Sequence, residues 1–432
     1  MNRAKQVRED LDGSVLIVTL CLLFIVVGLV ITILDVASDH RKIAVRQMNL
    51  DQAMYVAEAG VETGARFMES NLIVMVNSST GATNGSGSIS AGSYSYFICR
   101  SNTSTSTYCI ISTGTVNGVK RVVSLLDVYQ PTYAEFSLWS SNNNAVSFAT
   151  GDTFTGHVHS NTELYFSGSP AFYGPLTSNY GTYSGSLSGV YLADGLTLNS
   201  YQGTMADVNF NSGSSSLKSL ANLVVSGTAT LTFNGGTTTV KTSGSTTIFT
   251  NVTSSWANGG AIYVANNGTT TGSKSGTIYL QGGTITGPLT VVSEASMYVE
   301  NNITYTHNPV TTPTTTDALG LISQDNIWVD TGAPTSLTID ASMIAAGTSG
   351  DGSAGSFGVA NYSTKTPTGT LTVYGGIVQD TRGAVGTVNG NGNIQTGYVK
   401  NYSYDSRFLT KPPPDYPVIS NKVNFSQWQE SH

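Results

Sequence analysis

The sequence predicts a mainly β protein with one long N-terminal transmembrane α-helix, followed by a small α+β head and a β-solenoid body (a parallel β-helix). Three observations favour this fold class: an uncharged apolar run near the N terminus, a proline-free helical pattern directly after it, and many short alternating runs beyond. Charged residues make up only 10% of the chain, against about 25% in average globular proteins. This composition is typical of β-rich extracellular proteins.

The apolar run Ser14–Leu34 contains no charged residue, and basic residues precede it (Arg3, Lys5 and Arg8). At the helical rise its 21 residues span about 31 Å, close to the hydrocarbon thickness of a bilayer, about 30 Å. A cleaved secretory signal has a shorter apolar region of about 7 to 15 residues, followed by small residues. We therefore predict a cytoplasmic leader at 1–13 and a single transmembrane segment at 14–34, with the N terminus inside.

A small head is predicted for residues 35–130. Apolar residues at helical spacing continue without proline to Ser70, so one helix of about 85 Å is expected from Ser14 onward. A low-complexity loop, Ser78–Gly92, separates this helix from three β-like runs. The runs are Tyr94–Arg100, Tyr108–Thr115 and Val119–Val128, and Asn117-Gly118 favours a tight hairpin turn between the last two.

Three cysteines are too few for a disulfide scaffold, and Cys21 lies within the apolar run. Cys99 and Cys109 lie in neighbouring β-like runs, where a disulfide across a hairpin is geometrically reasonable. The prediction assumes an oxidising compartment. Two reduced, buried thiols are the alternative.

Residues 131–417 are predicted to form the body, with a C-terminal tail at 418–432. Short runs rich in Val, Ile, Thr, Tyr and Phe alternate with Gly or Asn, and no helical stretch separates them. A β-solenoid is favoured because stacked rungs accept Thr, Ser and Asn ladders, and an antiparallel β-sandwich is the alternative. The Pro- and Thr-rich segment 306–316 is expected to be an exposed loop, and 411–417 is expected to leave the sheet.

The N-terminal pattern resembles a known family. A leader ending in Gly13, an apolar helix that begins at Ser14, and the motif Ala57, Glu58, Ala59, Gly60 are similar to the N-terminal domain of PilX-type proteins. These are minor members of the class that contains type IV pilins and the pseudopilins of type II secretion. The resemblance covers roughly residues 8–70. It implies a pilin-like head and an accessory subunit of a type IV pilus or pseudopilus, involved in filament assembly or cell adhesion.

The resemblance also implies how the chain is processed and where it resides. In this class a prepilin peptidase cuts after the leader glycine and methylates the new N terminus, which maps onto Gly13 and Ser14. Major pilins carry a glutamate at the fifth mature position, where this chain has Val18. An accessory or tip subunit is therefore expected in the bacterial inner membrane, with a periplasmic or extracellular body on a filament. Implied partners are other pilins, contacted through the helix, and the peptidase.

Catalytic patterns are weak. His157 and His159 share one face of a strand by their spacing, which could support a metal site together with Asp152 or Glu163, but hydrogen-bonded or exposed imidazoles are the favoured interpretation. No nucleophile, metalloprotease or phosphate-loop motif occurs, so we expect no enzyme, no cofactor and no metal.

Charges are scarce in the body. The nine Lys and Arg residues after position 130 are scattered, which disfavours nucleic acid as a partner. Among the charges present, Lys400, Asp405 and Arg407 are candidates for an ion-pair network with Asp380 or Arg382, and surface solvation is the alternative.

Other function classes remain open. A membrane-tethered β-helix enzyme acting on polysaccharide is one alternative, and a single-pass surface protein outside any filament is another. A broad, uncharged body with 22 tyrosines in the chain also suits a carbohydrate or a surface protein as ligand.

Overall fold

The computed structural model describes residues 2–76, 83–100, 107–200, 208–210, 216–251, 259–267, 275–348, 352–419 and 423–431, with the backbone alone for 2–14, 71–76, 100 and 431. Helix α1 spans Asn2–Val76, about 110 Å at the standard rise. The sequence contains no proline in this range, so nothing interrupts the helical hydrogen bonds. The prediction of one unbroken helix is confirmed, but its expected start at Ser14 is wrong because α1 includes residues 2–13.

The head consists of the second half of α1 and an antiparallel five-stranded sheet. Its strands are β1 (Thr83–Ile89), β2 (Gly92–Arg100), β3 (Tyr108–Val116), β4 (Val119–Val128) and, from the C terminus, β31 (Gln427–Ser431), in that spatial order. The turn between β3 and β4 has positive φ at Asn117 and Gly118, as their sequence predicts.

Two features of the head differ from expectation. The predicted loop Ser78–Gly92 contains strand β1, while residues 77–82 lie outside the described part of the chain. The sequence of strand β1 does not alternate between apolar and polar residues, so it does not predict a strand. Gly85 and Gly87 stand where apolar side chains would be expected, because the rings of Tyr96 and Tyr94 lie across them. The predicted tail at 418–432 contributes β31, which pairs with β4.

The body is built from short strands. The first ten are β5 (Phe136–Asn142), β6 (Phe148–Ala149), β7 (Thr153–Thr155), β8 (His157–Ser160), β9 (Leu164–Ser167), β10 (Ala171–Phe172), β11 (Leu176–Ser178), β12 (Tyr183–Ser184), β13 (Tyr191–Leu192) and β14 (Leu196–Leu198). Helix α2 (Leu217–Leu220) follows, and one-turn 3₁₀ helices lie at Tyr133–Glu135 and Ser406–Leu409.

The second series of strands completes the body. They are β15 (Leu223–Ser226), β16 (Ala229–Gly235), β17 (Thr237–Thr242), β18 (Thr246–Thr250), β19 (Gly260–Ala265), β20 (Ile278–Ile285), β21 (Pro288–Ser293), β22 (Met297–Val299), β23 (Ile303–Tyr305), β24 (Ala318–Ser323), β25 (Ile327–Val329), β26 (Leu337–Ala345), β27 (Phe357–Val359), β28 (Gly369–Thr381), β29 (Gly386–Val388) and β30 (Ile394–Tyr404).

Most strands of the body pair in parallel, which makes it a large sheet of the β-helix-like kind. The antiparallel β-sandwich is therefore wrong, since antiparallel pairs in the described body are restricted to β16–β17–β18 and β29–β30. The longest series of strands paired side by side is called here the first ladder. Its spatial order is β14, β11, β8, β5, β28, β26, β24, β21, β19, β15. Its inward side chains form one continuous apolar column (Leu196, Leu176, Val158, Leu138, Ile377, Met343, Leu321, Val291, Ile262 and Leu223).

The order of the first ladder reveals the path of the chain. The chain enters at β5, inside the ladder, and adds strands on one side as far as β14. It then crosses to the opposite end at β15 and adds strands back toward the middle. Strands β28 and β30 finally pair with β5 and β7, more than two hundred residues earlier in sequence.

The outer face of the first ladder is also apolar and is covered by other parts of the chain. Residues of the crossing segment (Val208, Phe210 and Leu217) and of the C-terminal segment (Phe408 and Tyr416) pack on it. Because both of its faces are buried, β24 has six buried residues in succession instead of an alternating pattern. Segment 411–417 leaves the sheet as predicted, and it lies against this outer face.

Candidate functional site

The first candidate functional element is the exposed apolar part of α1. Residues 15–34 carry no charge and are exposed along their whole length, and α1 is the one described helix that is long and apolar enough to cross a membrane. Thr19 and Thr32 donate their hydroxyls to the carbonyls of Leu16 and Leu29, at 2.9 and 2.8 Å. These polar groups are therefore satisfied within the helix, as an apolar surrounding requires.

Beyond the apolar run, α1 extends before it reaches the head. Residues 35–48 are exposed and include four large apolar side chains (Val36, Ile43, Val45 and Met48). The adjacent charged residues Lys42 and Asp39 form an exposed ion pair at 2.9 Å. This stretch offers an apolar surface that the described part of the chain leaves uncovered.

The motif Ala57, Glu58, Ala59, Gly60 lies where α1 packs on the head sheet. Ala57 is completely buried and Gly60 is buried, whereas Glu58 and Ala59 are half-buried. A Cβ atom on Gly60 would lie 2.2 Å from the hydroxyl oxygen of Ser112. The motif therefore supplies small side chains that allow close approach of helix and sheet.

Sequence reasoning missed the other side of this contact. A Cβ atom on Gly114 of β3 would lie 2.1 Å from the carbonyl oxygen of Ala53, and one on Gly64 would lie 2.9 Å from Ile110. Small residues on both elements thus set the distance between helix and sheet. On α1, the spacing of Ala53 and Gly64 from Ala57 by about one and two helical turns is the signal that could have indicated the helical side of this contact.

Two further contacts stabilise the head. Cys99 and Cys109 are directly opposed on β2 and β3, with Cα atoms 5.3 Å apart, and form a disulfide. Strand β31 lies beside β4, where Arg121 and Glu430 form an ion pair at 3.3 Å. The C terminus is thereby tied to the head.

The head and the body are connected twice. The outgoing chain pairs with the returning chain through two antiparallel bridges, Tyr129 with Asn424 and Thr132 with Val418. The chain segments that leave and re-enter the head are therefore linked to each other at the junction with the body.

Gly13 and Ser14 lie within the helical backbone of α1. Cleavage between them would leave an N terminus at the beginning of the apolar run. The processing site stays a prediction.

No protein family and no curated protein matches the sequence. The fold is similar to the crystal structure of the competence-associated pilin ComZ from Thermus thermophilus, with 11% identity over 89% of this chain and 97% of that chain, and a TM-score of 0.35.

The two histidines considered for metal binding form a hydrogen-bonded row. Nε2 of His157 and Nδ1 of His159 lie 2.8 and 2.7 Å from the hydroxyl of Thr177, and Nε2 of His159 lies 2.8 Å from Oδ1 of Asn161. Burial, together with a smaller effect of the neighbouring His159, lowers the pKa of His157 to about 4. Among the described residues, no group of three or more His, Cys, Asp or Glu side chains could hold a metal ion.

The predicted ion-pair partners in the body are wrong. Lys400 pairs with Asp152, which also accepts a hydrogen bond from the backbone of Ala149, rather than with Asp380 or Arg382. Sequence alone could not indicate this pair because 248 residues separate its members.

Arg382 and Arg407 have separate roles. Arg382 is buried, lies over the Phe148 ring at 3.8 Å and donates a hydrogen bond to Asn143. Arg407 pairs with Asp405 and donates to the carbonyls of Thr315 and Asp317, at 2.8 and 2.9 Å. It therefore fixes the end of the loop at 306–316.

Proposed function

We propose that this chain is an accessory, pilin-like subunit of a type IV pilus or pseudopilus, which carries a β-solenoid body outward for filament assembly or surface adhesion. The observation that carries the proposal is the division of α1. Residues 15–34 are apolar and exposed, and the later part of the helix is fixed to a small antiparallel sheet through Ala57, Gly60 and Gly114. Such a helix can leave a bilayer and pack among similar helices while the attached domains stay outside.

The exposed stretch after the apolar run supports packing among like helices. Val36, Ile43, Val45 and Met48 would be costly to leave in water along an isolated rod. Neighbouring helices of other pilins would cover them. With Val18 at the fifth mature position, no buried carboxylate needs a partner, which favours an accessory or tip position.

We further propose that the body binds rather than catalyses. Four of its charged residues form structural pairs, Lys400 with Asp152 and Arg407 with Asp405. The histidines are hydrogen-bonded to Thr177 and Asn161, and both hydrogen-bonding nitrogens of His159 are engaged. These contacts favour display over an enzymatic role.

Processing after Gly13 tests the proposal directly. The full chain is produced with and without a prepilin peptidase, and mass spectrometry reads the mature N terminus. We expect methylated Ser14 only when the peptidase is present, and the variant Gly13→Leu should stay uncut. An intact Met1 under both conditions would instead assign the chain to single-pass surface proteins outside any filament.

A second measurement tests entry into filaments. Filaments sheared from cells that produce the tagged full chain should contain it, whereas the Gly13→Leu variant should remain with the membrane. If the processed wild-type chain is absent from the sheared fraction, the proposed role as a filament subunit is wrong.

A further inference from the structure

Two neighbouring segments of the body present a polar and aromatic surface, here called the Tyr165 surface, formed by the half-buried Glu163 and Tyr165 and the exposed Tyr180 and Thr182. Tyr165 pairs in parallel with Ser184, in the strand that directly follows Thr182. The neighbouring carboxylate of Glu163 is the largest cause of a raised pKa at Tyr165, and Tyr180 is a smaller one. Thr182 donates a hydrogen bond to Oε1 of Glu163 at 3.3 Å. Half of the Tyr180 surface is exposed.

The backbone beneath the Tyr165 surface is fixed by buried side chains. The Asn143 amide, only 1% exposed, donates to the carbonyl of Glu163 at 3.0 Å and accepts a hydrogen bond from Arg382 at 2.8 Å. The second corner is tied to the first, because Ser178 accepts from the backbone of Tyr180 and donates to the carbonyl of Thr162, both at 2.9 Å. A surface held in this way loses little conformational entropy on binding.

The composition of this region restricts the chemistry of a ligand. No Lys or Arg lies between residues 131 and 217, and the two cations that contact this part of the body from elsewhere in the chain, Arg382 and Lys400, are buried, so an acidic polymer would not reach them. Every large apolar side chain that is exposed between 163 and 200, among the described residues, is a tyrosine (Tyr173, Tyr180, Tyr183 and Tyr191). Tyr173 and Tyr191 form a second exposed pair, with ring centroids 5.1 Å apart.

Tyrosine combines a flat apolar ring with a hydroxyl and immobilises few rotatable bonds. Sugar rings have the matching properties, since they offer apolar C–H faces and many hydroxyl groups. The second oxygen of Glu163 and the hydroxyl of Thr182 supply hydrogen-bonding partners beside the rings. A protein partner would be expected to meet large exposed aliphatic side chains as well, and the described residues between 163 and 200 expose none.

We propose that the Tyr165 surface binds neutral carbohydrate. This inference rests on the proposed function only for its setting, namely that the body is displayed outside the cell. Tyr165 and Tyr180 contact the sugar faces, and Glu163 accepts hydrogen bonds from sugar hydroxyls.

The test uses the purified full chain in detergent micelles on an array of neutral, sialylated and sulfated oligosaccharides. We expect binding to at least one neutral oligosaccharide and not to the acidic ones. Tyr165→Ala and Tyr180→Ala should each weaken this binding about tenfold, the loss of one aromatic contact. Tyr362→Ala is the matched control, because Tyr362 is 39% exposed elsewhere on the body.

The proposal is overturned if no neutral oligosaccharide binds, if acidic oligosaccharides bind equally well, or if both alanine variants bind like wild type. Binding of a protein ligand through the same tyrosines, without oligosaccharide binding, also contradicts it. Sheared filaments should contain Tyr165→Ala and wild type in equal amounts. This readout separates failure of the carbohydrate site from failure of the proposed filament role.

Discussion

Nζ of Lys400 lies 2.5 Å from Oδ2 of Asp152, and both side chains are buried, at 6% and 0% exposure. Lys400 belongs to β30, the last strand of the body, and Asp152 precedes β7, near the start of the body. The ion pair therefore joins the two ends of the body where they meet. Burial lowers the pKa of Lys400, and the charge of Asp152 opposes this effect.

Removing one member of this pair should destabilise the body strongly. Lys400→Met keeps the length of the side chain and leaves the Asp152 charge buried without its ammonium partner. Breaking a buried pair in this way costs about 3–5 kcal/mol. The free energy of unfolding, from urea titration followed by tryptophan fluorescence, measures the effect.

Lys241→Met is the matched control, because Lys241 is exposed on β17. We expect the free energy of unfolding of this variant to lie within about 0.5 kcal/mol of the wild-type value. Equal losses in the two lysine variants would show that the buried pair does not stabilise the joint.

The contact between α1 and the head sheet should be sensitive to a single methyl group. Gly114→Ala would place a Cβ atom 2.1 Å from the carbonyl oxygen of Ala53 and 2.4 Å from the backbone nitrogen of Ala57. Backbone atoms cannot rotate away, so helix and sheet must separate, at a cost of about 1–3 kcal/mol or more. Hydrogen exchange of the amides in 53–64 should become faster.

The control for this variant is Gly236→Ala, since a Cβ atom there would meet nothing within 4 Å. Exchange in the body should stay unchanged in both variants. Unchanged exchange in the head of Gly114→Ala would mean that helix and sheet are not held at the distance observed.

The sequence predicts the elements that local patterns determine. The uncharged run after Ser14 and the absence of proline predict α1, and Asn117-Gly118 predicts the hairpin turn. Strand β1 was missed because its glycines lie beneath tyrosine rings. Strand β31 was missed because its pairing with β4 depends on a partner far away in sequence.

The contact between α1 and the head sheet and the ion pairs of the body were predicted less completely, because they too depend on partners far away in sequence. Ala57 and Gly60 are recognisable from the motif, but Gly114 contributes to the same contact only through the fold. The ion pair between Lys400 and Asp152 forms because β30 pairs with β7, and no local sequence pattern determines that pairing. The path of the body, which starts in the interior of its own ladder, likewise leaves no short-range signal.

The row of histidines should make the body sensitive to acid. The pKa of His157 is lowered in the folded state, from 6.5 to about 4. Its contribution to stability is therefore complete above pH 6.5 and is lost as the pH falls from 6.5 toward 4. As the pH is lowered over this range, the melting temperature of His157→Gln should fall less than that of wild type.

His40→Gln, at an exposed position of α1, is the control and should follow wild type. Identical acid profiles for wild type and His157→Gln would contradict the inference that burial keeps this imidazole neutral.

Glu135 should give the opposite pH dependence. This residue lies at the end of the 3₁₀ helix that joins the head to the body, and burial raises its pKa from 4.5 to about 7, against a hydrogen bond from the backbone of Thr132. The folded state therefore binds the proton more tightly than the unfolded state. Stability due to the protonated carboxyl is complete below pH 4.5 and is lost as the pH rises through 7.

The variant Glu135→Gln keeps the shape and removes the titration. Its free energy of unfolding relative to wild type should increase steadily between pH 4.5 and 7 and then remain constant to pH 9. Asp194→Asn, at an exposed position in the body, should have no such trend. A difference between Glu135→Gln and wild type that stays constant from pH 4.5 to 9 would mean that the carboxyl of Glu135 is ionised at the junction throughout this range, because solvent reaches it there.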